Sequence, residues 1–144
     1  KNKEELLLAL SKNAKSLLPE IDKKEDGYVA IKQIMTYWKE RLLENSQWYK
    51  YFKIYAMDDI RKFPSEMPQN LMRSRIEKII CNYILKGQET ATINSANFTD
   101  LCKCMFAMFS NFVNERVTKT PENMSIPDVD VMMNLFDKKE VYIV

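Results

Sequence analysis

The segment Trp48–Phe63, WYKYFKIYAMDDIRKF, constrains the fold of this chain more than any other stretch. Large apolar side chains recur along it at helical spacing, at Trp48, Phe52, Tyr55, Ile60 and Phe63. Tyr49, Tyr51 and Ile54 add further apolar surface beside that stripe. A helix with so much apolar surface must bury at least one broad face. The segment therefore predicts a helix that packs into the core of a folded domain.

Composition narrows both the fold class and the chemistry. The 144 residues contain only two glycines and no histidine. Sheets and phosphate-binding loops need turn glycines, so an all-helical chain is the natural interpretation. Histidine is the commonest general base and a common zinc ligand, so we predict no enzyme activity, no metal site and no cofactor. A net charge of +2 without basic clusters argues against nucleic-acid binding.

Five further segments carry the helical period and complete the predicted architecture. In chain order they are about Glu4–Leu18, Tyr28–Glu44, Leu71–Leu85, Asn97–Val117 and a helix that begins near Asp128. The final residues, EVYIV, fit either a strand or a helix extension. By length the chain is one domain, residues 1–144. Because it begins with Lys1 rather than Met, we expect it to be part of a longer chain, and no apolar run is long enough to span a membrane.

The helix over Asn97–Val117 is predicted to be the central element. Cys104, Ala107 and Met108 extend its main stripe until the middle is apolar on almost all sides. A helix of this kind is usually surrounded by others, and we expect Phe106, midway along it, to be fully buried. The sequence thus predicts a compact all-α bundle of about six or seven helices around a central apolar helix.

One segment imitates a calcium-binding loop. Asp22, Lys24 and Asp26 stand at the first, third and fifth positions, and Gly27 stands at the sixth. Lys24 places a cation where an oxygen ligand belongs, and the twelfth position is Gln33 instead of Glu. We interpret the segment as a charged turn between helices in which Gly27 supplies the flexible position.

The remaining motifs favour structural roles. Asp58 and Asp59 are adjacent on a helix and point about 100° apart, so they cannot face one substrate as a pair. Cys102 and Cys104 point about 200° apart, which excludes an ordinary zinc knuckle and favours free, buried thiols. Asn97-Phe-Thr99 and Asn123-Met-Ser125 match the N-glycosylation acceptor, which matters only in a secreted protein.

Two of the predicted helices carry a family resemblance. The first contributes Met35-Thr36-Tyr37-Trp38-Lys39, and the next contributes Trp48-Tyr49, Phe52, Tyr55, Asp58-Asp59, Ile60 and Phe63. This register resembles the poxvirus Bcl-2-like family of immune modulators. The segment Phe98–Val113, which contains Leu101-Cys102-Lys103-Cys104, is similar to that family's central helix.

The resemblance implies a Bcl-2-like fold and a protein that binds others in the host cytoplasm. Its partners would be host signalling or apoptosis proteins, and its effect would be to suppress NF-κB activation, interferon induction or cell death. It also implies a homodimer formed through helix faces. Residues suited to partner binding are Leu7, Leu10, Trp48, Tyr49, Met132 and Met133.

Two alternatives belong to other classes of function. Gly27, Trp38-Lys39-Glu40, Tyr51–Tyr55 and the acceptor motif at Asn97 occur in an order similar to that of interferon-γ, which implies a secreted helical cytokine. The second alternative is a helical adaptor domain of a larger cellular protein. A cleavable apolar leader would favour the cytokine, and a long continuation beyond Val144 would favour the adaptor.

Overall fold

A computed structural model describes residues 17–57 and 68–138, with side chains described at all of these positions except 68–72. Five α-helices occur in this part of the chain: α1 (Gly27–Leu42), α2 (Trp48–Phe52), α3 (Pro68–Glu89), α4 (Phe98–Thr118) and α5 (Val129–Met132). A π-helical turn, Lys53–Met57, continues α2, and a 3-10 turn, Met133–Leu135, continues α5. The described residues contain no strand, so the all-α prediction is confirmed for them.

Side-chain caps set where three of the helices begin. The Asp26 carboxylate accepts a hydrogen bond from the Tyr28 backbone N–H at the start of α1. Asn97 caps α4 by accepting from the N–H groups of Thr99 and Asp100, and Asp128 caps α5 by accepting from the N–H of Asp130. Such caps satisfy backbone donors that the first helical turn leaves without partners.

The core is organised around Trp38 of α1. Its ring lies 4.7 Å from that of Phe52, 5.1 Å from that of Phe109 and 5.8 Å from that of Phe106. The indole Nε1 donates a 2.8 Å hydrogen bond to the carbonyl of Leu17, so the one polar atom of this buried ring has a partner. Helix α1 contacts each of the other four helices, and α4 packs against α1, α2 and α3.

The predicted burial of α4 holds on one side only. Phe106 is 4% exposed, which confirms that it is buried. Cys104 and Ala107 are exposed, so the expectation that α4 is surrounded on nearly all sides is wrong. The apolar side chains that decide the packing are the large ones, Phe106, Phe109 and Phe112, and these lie on one face.

Two helical predictions extend beyond the described residues. The predicted helix over Trp48–Phe63 appears as α2 and its π-helical continuation as far as Met57, and Asp58 to Phe63 lie outside the described part. Most of the predicted helix Glu4–Leu18 and the terminal EVYIV also lie outside it. Helix α3 is longer at both ends than the predicted Leu71–Leu85.

Candidate partner-binding surface

Trp48, predicted to bind a partner, is a core residue in this fold. It is 9% exposed, and its ring stacks on Phe52 at 4.6 Å with 19° between the planes. Tyr37 of α1 meets it edge-on at 6.2 Å. These contacts fix the first turn of α2 against α1 and thereby set which face of α2 points outward.

Tyr49 lies beside a buried cation. The guanidinium of Arg116 sits 4.3 Å from the centre of the Tyr49 ring. Arg116 is 7% exposed and donates to the carbonyls of Leu42, Glu44 and Lys119. The last carbonyls of a helix lack hydrogen-bond partners within it, so Arg116 caps the C-terminal end of α1. Its guanidinium also makes a cation–π contact with the Tyr49 ring. Sequence reasoning missed this role because the contact joins residues more than seventy positions apart.

Met132 and Met133 lie in the core rather than on a surface, at 5% and 0% exposed. Two polar links hold their helix on α1: Lys32 pairs with Asp130 at 2.6 Å, and Lys39 donates to the Pro127 carbonyl at 3.1 Å. The structure therefore does not gather the predicted residues into one exposed patch. Leu7 and Leu10 lie outside the described residues. Partner binding through this set remains a prediction.

Apolar side chains that are exposed occur on the outer side of α2 and its π-helical continuation. Tyr51 is 39% exposed and Ile54 is 38% exposed, three positions apart on one helix face. Lys50, which directly precedes Tyr51 in α2, is exposed as well. We call Lys50, Tyr51 and Ile54 the α2 surface. Next to it, Lys53 donates to Asn114 of α4 at 3.3 Å, which ties this part of the chain to the central packing.

The calcium-like segment is used for helix capping and loop attachment. Asp22 accepts from the Lys24 N–H at 2.9 Å and so closes a tight turn. Asp26 accepts 2.9 Å hydrogen bonds from the hydroxyls of both Thr90 and Thr92. Burial opposes ionisation of Asp26, but these bonds and the backbone N–H groups of α1 outweigh it and lower the pKa of its carboxyl. This carboxylate joins the start of α1 to the turn after α3.

The last turn of the described chain is held by Asn94 and Tyr28. Asn94 donates from its amide to the carbonyls of Leu135 and Asp137. The Tyr28 hydroxyl donates to the Asp137 carboxylate at 2.6 Å, and this bond, with burial, raises the pKa of Tyr28 to about 12. Phe136, which is fully buried, is thereby fixed in the core.

Two of the three cysteines meet between α3 and α4. Cys81 and Cys102 line one cavity of about 430 Å³, together with Arg73, Glu77 and Lys103. Burial is the main cause that raises the pKa of the Cys102 thiol, and its proximity and hydrogen bond to Cys81 add to the effect. Cys104 is exposed, so Cys102 and Cys104 point apart as predicted, but the expectation of buried thiols is wrong for Cys104.

The two glycosylation-type motifs have local structural roles. The Asn97 side-chain oxygen also accepts from the Thr99 hydroxyl, so Asn97 and Thr99 of the motif both take part in the N-cap of α4. Asn123 donates from its amide to the Thr120 hydroxyl at 2.9 Å. Asp58 and Asp59, for which we predict a structural role with one of them pairing with Arg61, Lys62 or a helix end, lie outside the described residues.

Comparison with known proteins yields no relative. No protein-family model, curated protein or solved structure matches the chain. Within residues 17–57 and 68–138, no helix combines the length and apolarity needed to cross a membrane. In the same part of the chain, His, Cys, Asp and Glu side chains form no group of three or more that could hold a metal ion.

Proposed function

We propose that this chain is a non-enzymatic viral interaction protein with a Bcl-2-like helical fold. It acts in the host cytoplasm, where it binds host signalling or apoptosis proteins. Binding suppresses NF-κB activation, interferon induction or cell death. The mechanism is competition: an exposed helix face occupies a segment of the host protein that another protein would otherwise bind.

The observation that carries this proposal is the cluster around Trp38. The Trp of the first motif, Trp38, packs against Phe52 of the second motif and against Phe109 of the helix that resembles the family's central one. Residues chosen from separate parts of the sequence for their resemblance therefore form a single core. Their proximity is the arrangement that the resemblance requires of these motifs, and it supports the proposal to that extent.

The α2 surface is the part of the described chain best suited to bind a partner. Tyr51 and Ile54 present an aromatic and an aliphatic side chain at helical spacing, with Lys50 beside them. Aromatic side chains contribute disproportionately to binding energy at protein interfaces. The buried stacking of Trp48 on Phe52 holds this face in a fixed orientation, which reduces the entropy lost on binding.

Affinity capture from infected or transfected cells, read by quantitative mass spectrometry, tests the proposal. The tagged parent should enrich a host signalling or apoptosis protein, and Tyr51→Glu with Ile54→Glu should reduce that enrichment at least about tenfold. Val131→Glu is the matched control, because Val131 is also an exposed aliphatic residue but lies on α5. It should leave capture unchanged.

A reporter of NF-κB or interferon induction, measured with the same variants, connects binding to effect. Suppression should be lost with the double variant and retained with Val131→Glu. A parent that suppresses no pathway and enriches no host protein would overturn the proposed function. Equal loss in both variants would show that the α2 surface is not the binding face.

A further inference from the structure

We propose that Cys81 and Cys102 form a redox-sensitive site, in which a hydroperoxide converts the two thiols into a disulfide that joins α3 to α4. The site is independent of the proposed function, since it rests on a pair of side chains that the partner surface does not use. The oxidant that reacts at this site is a small hydroperoxide, of which hydrogen peroxide is the simplest member.

The first support is the placement of the two thiols. Cys81 belongs to α3 and Cys102 to α4, two helices that pack against each other, and both side chains line the same cavity. A disulfide requires Cα atoms no more than about 7 Å apart with Cβ atoms that face each other, and two cysteines that line one cavity from neighbouring helices are placed to approach that geometry. In the described structure both cysteines are free, so the pair is available for oxidation.

The second support is access for a small oxidant. Both cysteines line the cavity of about 430 Å³, which is large enough for a molecule of peroxide. Cys81 is half-buried at this cavity, whereas Cys102 is 4% exposed. Arg73, Glu77 and Lys103 also line this cavity, and Arg73 pairs with Glu77 at 2.6 Å, so the cavity walls are polar enough to admit a hydrated oxidant.

The unequal surroundings of the two thiols assign their roles. Cys81 is the more accessible of the two thiols, whereas burial raises the pKa of the Cys102 thiol and keeps it protonated. Cys81 is therefore the thiol that attacks, and Cys102 is the thiol that resolves. Cys104, two residues along α4, is exposed on another side of the helix and has no place in this pair.

The chemistry balances with peroxide as the only co-reactant. The Cys81 thiolate attacks one peroxide oxygen, the O–O bond breaks, and hydroxide leaves as Cys81 becomes a sulfenic acid. The Cys102 sulfur then attacks the Cys81 sulfur, the S–O bond breaks, and the departing hydroxide takes the Cys102 proton to become water. The two thiols lose two electrons, which reduce the peroxide to water.

Peptide mapping after controlled oxidation tests this assignment. The folded parent is exposed to hydrogen peroxide, blocked with an alkylating reagent, digested without reductant and analysed by mass spectrometry. The expected product is a peptide containing Cys81 joined to a peptide containing Cys102, and dithiothreitol should remove it. Cys104→Ser is the matched control and should form the same crosslink at the same rate.

Two cysteine variants distinguish the attacking thiol from the resolving thiol, and the test does not rely on any single variant being folded. Cys102→Ala should allow sulfenic acid to accumulate at Cys81, which a dimedone probe detects, whereas Cys81→Ser should abolish labelling at Cys102. Circular dichroism confirms that each variant is folded. Loss of the crosslink in Cys104→Ser, or oxidation of Cys81 in the parent to sulfinic acid without a crosslink, would overturn the assignment.

Discussion

Gly27 and Gly87, the two glycines of the chain, lie against each other where α1 crosses α3. A Cβ on Gly27 would stand 2.4 Å from the Gly87 nitrogen and 2.0 Å from the Tyr83 carbonyl oxygen. Neither glycine has a positive φ. Their value is therefore the absence of a side chain, which lets two helix backbones approach closely, and not the turn flexibility that the sequence suggested for Gly27.

Substitution of Gly27 should therefore be costly. We expect Gly27→Ala to lower the free energy of unfolding by about 3 kcal/mol or more, because the added methyl group would overlap backbone atoms that cannot move independently. Gly87→Ala should cost less, since the nearest atoms belong to the Ile93 side chain. Urea denaturation measures both. Gln33→Ala, an exposed position on α1, is the control and should change stability by less than about 0.5 kcal/mol.

Phe106 links three parts of the structure. Its ring contacts Trp38, and the Arg73 guanidinium lies 4.7 Å from the ring centre. Phe106→Ala should cost about 3–5 kcal/mol in a denaturant melt, because it leaves a cavity in the core. Val117→Ala, at a position 49% exposed on the same helix, serves as the control. A loss below about 1 kcal/mol for Phe106→Ala would place the core elsewhere.

Ala91 occupies a position that favours glycine. Its φ is 61°, and the two hydrogen bonds that close the end of α3 run from Thr92 to Gly87 and from Ala91 to Gln88. This pairing is a Schellman motif, whose left-handed residue is usually Gly. Ala91→Gly should raise the free energy of unfolding by about 1 kcal/mol. Thermal melts measure the gain, and Ala96→Gly, in the following loop, should produce none.

Asp26 should make stability depend on pH in the acid range. Its folded-state pKa lies below the ordinary value of an aspartate carboxyl, so its contribution is complete above that ordinary value and is lost as the pH falls through the folded pKa. In melts between about pH 6 and pH 2, the parent should lose more stability than Asp26→Asn, which cannot ionise. Identical pH profiles for the two proteins would contradict this linkage.

Under the proposed function, the chain should self-associate. We expect a homodimer by light scattering, and a folded monomer for at least one of Leu7→Glu, Leu10→Glu and Tyr49→Glu, because a two-fold interface receives each added charge twice. At Tyr49 the new carboxylate would meet Arg116, which would offset its repulsion. Tyr51→Glu, whose side chain is exposed, is therefore the sharper variant on α2. A parent that stays monomeric at high micromolar concentration would exclude the dimer.

The helical period of the large apolar residues was enough to locate four of the five described helices within a few residues. For Tyr28–Glu44 and Asn97–Val117 the boundaries also agree closely with α1 and α4, because the caps Asp26 and Asn97 and the apolar stripes are local features. Local sequence did not reveal the π-helical continuation of α2. Its buried residues, Tyr55 and Ala56, pack into a core that other helices complete, and the segment alone does not encode those neighbours.

The sequence by itself determined that this chain is helical and that Trp38, Phe52 and Phe106 belong to its core, since residue type and spacing act within one helix. Tertiary structure decided which side of α4 is covered, that Gly27 meets Gly87, and that Cys81 meets Cys102. It also placed Trp48, Met132 and Met133 inside and left Tyr51 and Ile54 outside. These outcomes depend on which helices become neighbours, and that choice is made by long-range packing that no single segment encodes.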